Sequence, residues 1–109
     1  MEFLVEFEIN APGGTPVSEV ADRERAETSA AAMLADQGHL LRVWKRCLPT
    51  GGTRTIGLYR ADSEAELDGL LRALPLYDWM KVTVTALEPH PNESARADAT
   101  NPTTAGGQP

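Results

Sequence analysis

The sequence predicts an α+β domain of ferredoxin-like type: βαββαβ order, an antiparallel sheet, and two helices on one face. Three observations predict it. Apolar and polar residues alternate from Phe3 to Ile9 and again from Trp79 to Leu87, the period of half-buried strands. Two helical patterns, one long and one short, lie between them. The helices are separated by two strand-like stretches joined through Pro49-Thr50-Gly51-Gly52, a turn-forming run that makes those strands a hairpin.

Each element has its own local warrant. Phe3, Val5, Phe7 and Ile9 form an apolar face against Glu2, Glu6, Glu8 and Asn10, with Leu4 as the one break. Ala11-Pro12-Gly13-Gly14 ends that strand. Thr15-Pro16 offers an N-cap followed by proline at the first helical position, and Gly38 offers a stop, so a helix is expected from Pro16 to Gln37. His39 to Leu48 alternates imperfectly but holds Leu40, Leu41, Val43 and Trp44, and Thr53 to Arg60 is its hairpin partner. Ser63 and Glu66 have capping-box spacing, and Leu67, Leu70, Leu71 and Leu74 recur at helical intervals until Pro75 ends the pattern. Residues 1–91 are thus expected to form one domain. The segment 92–109 has no Val, Ile, Leu or aromatic residue and is expected to stay unfolded.

Composition narrows the function classes. Ten Lys and Arg against 16 Asp and Glu give a net charge of −6, which argues against a general phosphate-backbone binder. The single cysteine, Cys47, permits no internal disulfide and is expected to be a buried apolar side chain in a reducing compartment. His39 and His90 lie far apart without a carboxylate motif, so no metal site is expected. The first residues carry Glu2, Glu6 and Glu8 instead of a basic segment and an apolar core, so they do not read as a signal peptide, and a cytoplasmic protein is expected.

Chemistry is suggested by the first helix. Its apolar stripe runs Val17, Val20, Glu24, Glu27, Thr28, Ala31, Leu34, placing two carboxylates where the pattern calls for apolar side chains facing the sheet. A carboxylate held against apolar walls has its charged form disfavoured, which suits it to accept and return a proton near neutrality. Glu24 and Glu27 are therefore the candidate acid/base residues, the bland alternative being solvated helix charges.

Leu74-Pro75-Leu76-Tyr77-Asp78-Trp79-Met80, followed by a strand and His90-Pro91, resembles the end of the muconolactone isomerase family, whose members carry Leu-Pro-Leu-(aromatic)-x-(aromatic)-Met there. Val43-Trp44-Lys45 is similar to that family's Leu-Trp-Arg. Counting back from Gly38, Glu27 falls on the helix glutamate associated with proton movement in the family. The resemblance implies a cofactor-free isomerase of the dimeric α+β barrel type, active in aromatic-compound catabolism. Its reaction would shift a carbon-carbon double bond in an unsaturated lactone bearing a carboxylate, and the family assembles as homo-oligomers, commonly decamers. Where members carry His-Tyr-Ala-Asn-Tyr-Ser, this chain has the longer Leu48-Pro49-Thr50-Gly51-Gly52-Thr53-Arg54-Thr55, so the substrate is less constrained than the fold.

Such a reaction needs donors for an enolate oxygen and a cation for the substrate carboxylate. Arg42, Lys45, Arg46 and Arg54 are candidates, with Trp44, Tyr77 and His39 as further substrate-binding residues. Alternation puts Arg42, Trp44 and Arg46 on one strand face and Val43, Lys45 and Cys47 on the other, and does not say which faces the pocket. Two other functions fit the same pattern: isomerisation, cyclisation or dehydration of another acidic or polyketide-like substrate, and a non-catalytic module that binds a small molecule.

Overall fold

The computed structural model describes residues 1–92; the segment read as an unfolded tail lies, from residue 93 onward, outside the described residues. The elements are β1 (Glu2–Ile9), α1 (Val17–Asp36), β2 (Leu40–Cys47), β3 (Thr53–Arg60), α2 (Glu64–Arg72), a single 3-10 turn (Tyr77–Trp79) and β4 (Met80–Leu87). The four strands form one antiparallel sheet in the order β2-β3-β1-β4. This is the expected ferredoxin-like arrangement.

The inner face of the sheet carries the odd residues of β1. Phe3 and Val5 are fully buried, and Leu67 of α2 seals them from above. Leu71 and Leu74 extend this contact, while Leu34 anchors the C-terminal end of α1. Val82 and Val84 of β4 stand beside Phe7 and Val5 in register and pack on the same core. Burying one such side chain stabilises the fold by about 1.5–3 kcal/mol, so this small set supplies most of the apolar drive.

Several local expectations hold. Gly38 adopts φ 81°, and the α1 terminus closes with Gly38 N–H on Ala35 O (3.1 Å) and His39 N–H on Leu34 O (2.9 Å), the paired bonds of a Schellman end. The Ser63 Oγ accepts from the Glu66 N–H at 3.1 Å; the returning Glu66 carboxylate takes the N–H of Asp62 at 2.6 Å rather than that of Ser63. Gly51 and Gly52, at φ 86° and 83°, turn the β2–β3 hairpin.

Others are corrected. Pro16, not Thr15, occupies the N-cap position of α1, because its extended ψ of 142° keeps it out of the helix, and the Thr15 hydroxyl donates back to Pro12 O at 2.6 Å. Val17, placed on the apolar stripe by spacing, is the first residue of α1 and is 85% exposed. Trp79 closes the 3-10 turn and precedes β4 instead of opening it. Cys47 is exposed, not buried, because it lies at the hairpin end of β2, the edge strand.

The imperfect alternation of β2 has a structural cause. Leu40 pairs with Tyr59 and Arg42 with Leu58, so two steps along β2 match one along β3. Leu41 is the extra residue of a bulge. The bulge switches faces, so that Leu40 and Val43 both point inward.

Candidate active site

The helix-covered side of the sheet contains a cavity of about 240 Å3 between α1 and the β1–β3 strands. Phe7, Ile9, Leu40, Val43, Ala31 and Met80 supply apolar walls, and Glu27, Thr28, Thr55 and Tyr59 supply the polar groups. Drug-sized ligand sites span roughly 300–1,000 Å3, so this cavity suits a small, single-ring substrate.

Glu27 is placed by two bonds that run from α1 to one peptide unit. Its Oε1 accepts from the Leu76 N–H at 3.1 Å, and Arg23, one helical turn earlier, donates from Nη1 to Pro75 O at 3.0 Å. Pro75 C=O and Leu76 N–H belong to the same planar amide, which α1 therefore grips at both ends. The Arg23 guanidinium also lies 4.5 Å over the ring of buried Trp79. The Leu74 to Met80 segment thus positions the carboxylate directly.

Burial raises the Glu27 pKa above the ordinary glutamate value, and the Leu76 N–H partly opposes that rise by stabilising the ionised form. One oxygen is held by the backbone, and no described residue hydrogen-bonds to Oε2. Such a carboxylate has fixed geometry, a raised proton affinity and a free oxygen beside an apolar cavity. It can take a proton from carbon and give it back.

Glu24 does not share this environment. Its side chain is exposed and does not line the cavity, because it lies at the edge of the helix stripe, about 60° round from Glu27. Register also decides the faces of β2. Val43 pairs with Gly57 and Lys45 with Thr55, whereas Trp44 pairs with Ile56 and Arg42 with Leu58. Val43, Lys45 and Cys47 are on the helix side; Arg42, Trp44, Arg46 and Arg54 are on the open side.

The open-side cations are occupied elsewhere. Arg46 bonds Glu6 at 2.9 Å, Arg54 reaches Glu8 at 3.3 Å, and Arg42 lies 4.9 Å over the Trp44 ring. Lys45 is the sequence-derived cation on the helix side of the sheet, paired with Thr55; it is exposed and is not itself a wall of the cavity. His39 caps the sheet edge, donating from Nδ1 to Arg60 O at 2.9 Å, and Tyr77 packs on the core under Arg72, 5.7 Å away. Neither lines the cavity.

Sequence reasoning missed Tyr59 and Gly57. Tyr59 is 4% exposed, stacks edge-on against Phe7 with ring centroids 6.2 Å apart, and has its pKa pushed up to about 12 by burial and by the Glu27 charge. Gly57 makes room for it, since a Cβ there would stand 2.6 Å from Tyr59 Cε1. The available signal was the spacing Gly57-x-Tyr59 on one strand face, but only pairing with β1 reveals that this face is the inner one.

Comparison with known proteins identifies the family to which this fold belongs. The family model described as muconolactone delta-isomerase matches residues 1–93. The chain belongs to the muconolactone delta-isomerase family. It is 36% identical over 93 residues to muconolactone delta-isomerase 1 of Acinetobacter lwoffii, covering 84% of this chain and 93% of that protein. It is 32% identical over 98 residues to the muconolactone delta-isomerase of Acinetobacter baylyi, covering 90% and 98%. Among solved structures, a muconolactone isomerase crystal structure superposes with a TM-score of 0.72 at 23% identity, over 84% of this chain and 92% of the other. A 5-chloro-2-hydroxyhydroquinone dehydrochlorinase from Burkholderia phenoliruptrix, solved with 2,5-dihydroxybenzoquinone, reaches 0.62 at 14% identity, over 84% and 98%. These two structures share the fold. Membership of the muconolactone delta-isomerase family makes the protein an intramolecular isomerase.

Proposed function

We propose that this muconolactone delta-isomerase family member shifts a carbon-carbon double bond in a muconolactone-like, carboxylate-bearing unsaturated lactone, without a cofactor, using Glu27 as the single proton carrier. The observation that carries this reading is the Glu27 carboxylate itself, half-buried, fixed by the Leu76 N–H and facing the cavity. Glu27 takes a carbon-bound proton, the released pair extends conjugation to the lactone carbonyl, and the same carboxylic acid returns the proton two carbons away. Apolar walls keep the carboxylate poorly solvated and therefore basic. Lys45, paired with Thr55 on the helix side of the sheet, is the residue we assign to the substrate carboxylate.

The names of the related muconolactone delta-isomerases make muconolactone the first compound to offer. Wild-type protein is expected to change the ultraviolet absorbance of muconolactone and to exchange a carbon-bound proton with deuterated water. Glu27→Gln keeps an acceptor for Leu76 but removes the base, so turnover should fall by about 10²- to 10⁴-fold. Turnover equal to wild type in that variant sinks the assignment.

The free sheet face is read as meeting further copies of the chain. Leu4, Ile56, Leu58 and Trp44 lie together on it, none of them fully buried in the single chain. A dimer-based or decameric assembly formed through this face would cover the patch.

A further inference from the structure

We infer that Tyr59 is the second catalytic residue, its hydroxyl donating a hydrogen bond to the oxyanion that forms on the lactone carbonyl when Glu27 removes the carbon-bound proton. The inference deepens the reading of Glu27 as base and rests on it.

Three observations on one cavity carry the assignment. Tyr59 and Glu27 both line it, on opposite layers, one from β3 and one from α1. Tyr59 is buried, and burial and the Glu27 charge, not a hydrogen bond from any described residue, set the environment of its hydroxyl. A buried hydroxyl without a partner costs stability, so a phenylalanine would serve packing better unless the hydroxyl has work to do on a ligand. Gly57 is the third. It lies two residues before Tyr59 on the same strand face, and any side chain there would collide with the Tyr59 ring, so the strand leaves open the place this ring needs.

The electron and proton accounting is closed by these two side chains. Glu27 gains the proton from carbon; the C–H pair becomes a new C=C bond, the original C=C pair moves to the bond beside the carbonyl carbon, and the carbonyl π pair moves onto oxygen. Tyr59 donates to that oxygen without transferring its own proton. When Glu27 returns its proton two carbons away, the oxygen pair reforms the carbonyl, the enolate C=C pair beside it makes the new C–H bond, and the hydrogen bond to Tyr59 weakens. A phenol whose pKa has been pushed up to about 12 stays protonated through this cycle and remains a donor. Oxyanion donors of this kind act most strongly in water-poor sites, where Tyr59 lies.

The test compares wild type, Tyr59→Phe and Glu27→Gln with two probes: muconolactone for turnover, and tetronate, a five-membered enol-lactone anion that stands in for the oxyanion intermediate. Tyr59→Phe should match or slightly exceed wild-type thermal stability, lower kcat on muconolactone by about 10²- to 10³-fold with little change in KM, and weaken tetronate binding by at least about 10-fold. A merely structural tyrosine would move neither kcat nor tetronate affinity. Wild-type kcat in Tyr59→Phe, equal tetronate affinity in the two proteins, or no tetronate binding by wild type overturns the assignment. Should muconolactone not be turned over by wild type, tetronate binding alone decides. The Glu27 reading fails separately, by full turnover in Glu27→Gln, an outcome that does not depend on Tyr59.

Discussion

Glu27 carries opposite consequences for activity and for stability. As a base it must be ionised, so kcat/KM should rise with pH through the raised Glu27 pKa and be lost below it; a pH-rate profile whose acidic limb lies at or below the ordinary glutamate value of 4.5 would contradict this. For folding the sign reverses. Because the folded-state pKa lies above the unfolded one, the native chain binds more protons between the two, and stability falls as pH rises through that window. Glu27→Gln removes the poorly solvated charge and keeps the Leu76 acceptor, so its melting temperature at neutral pH should equal or slightly exceed that of wild type. Gly57→Ala should do the reverse. Its Cβ would sit 2.6 Å from the Tyr59 ring and 3.5 Å from Leu40 Cδ1, an overpacking that costs about 1–3 kcal/mol in denaturant unfolding.

At the scale of elements, the helix and the Leu-Pro-Leu segment act as one unit. Arg23→Met keeps the side-chain stem over Trp79 but drops the bond to Pro75 O. Its expected effect is a several-fold loss of kcat with an unchanged fold by circular dichroism; unchanged kcat would show that the Leu76 bond alone positions Glu27. These elements differ in how far sequence revealed them. The Schellman end at Gly38 and the Ser63–Glu66 cap are local chemistry and could be read from a few neighbouring residues. The Leu41 bulge could not, because a bulge is defined by its partner strand, and so the face of Val43 and Lys45 stayed open until β3 was paired. Glu27 stood out because a carboxylate interrupted an apolar period, whereas Tyr59 hid as one more strand aromatic.

On the whole molecule, the acidic alternation of β1 is answered across the open face. Glu2 meets Arg60 at 3.1 Å, Glu6 meets Arg46 and Glu8 meets Arg54, in pairs that flank Leu4, Ile56 and Leu58. Exposed pairs like these add little stability one by one, about 0–1 kcal/mol each, but they border an apolar patch with fixed charges. Light scattering should therefore report a mass well above the single-chain 11.8 kDa, and Leu58→Lys should return the protein toward that mass. A wild-type monomer at micromolar concentration would refute the reading. This face was legible in the sequence as the polar half of the β1 alternation, with Leu4 as its anomaly, but its pairing with Leu58 was not.

The grip of α1 on the 75–76 peptide also bears on how freely this protein can change its sequence. The group that tempers the Glu27 proton affinity is a main-chain N–H, which every residue except proline would supply at position 76. The apolar surroundings can therefore be rebuilt around a different lactone, one wall at a time, while the base keeps its anchor. A proton carrier held this way tolerates drift in the residues that choose the substrate.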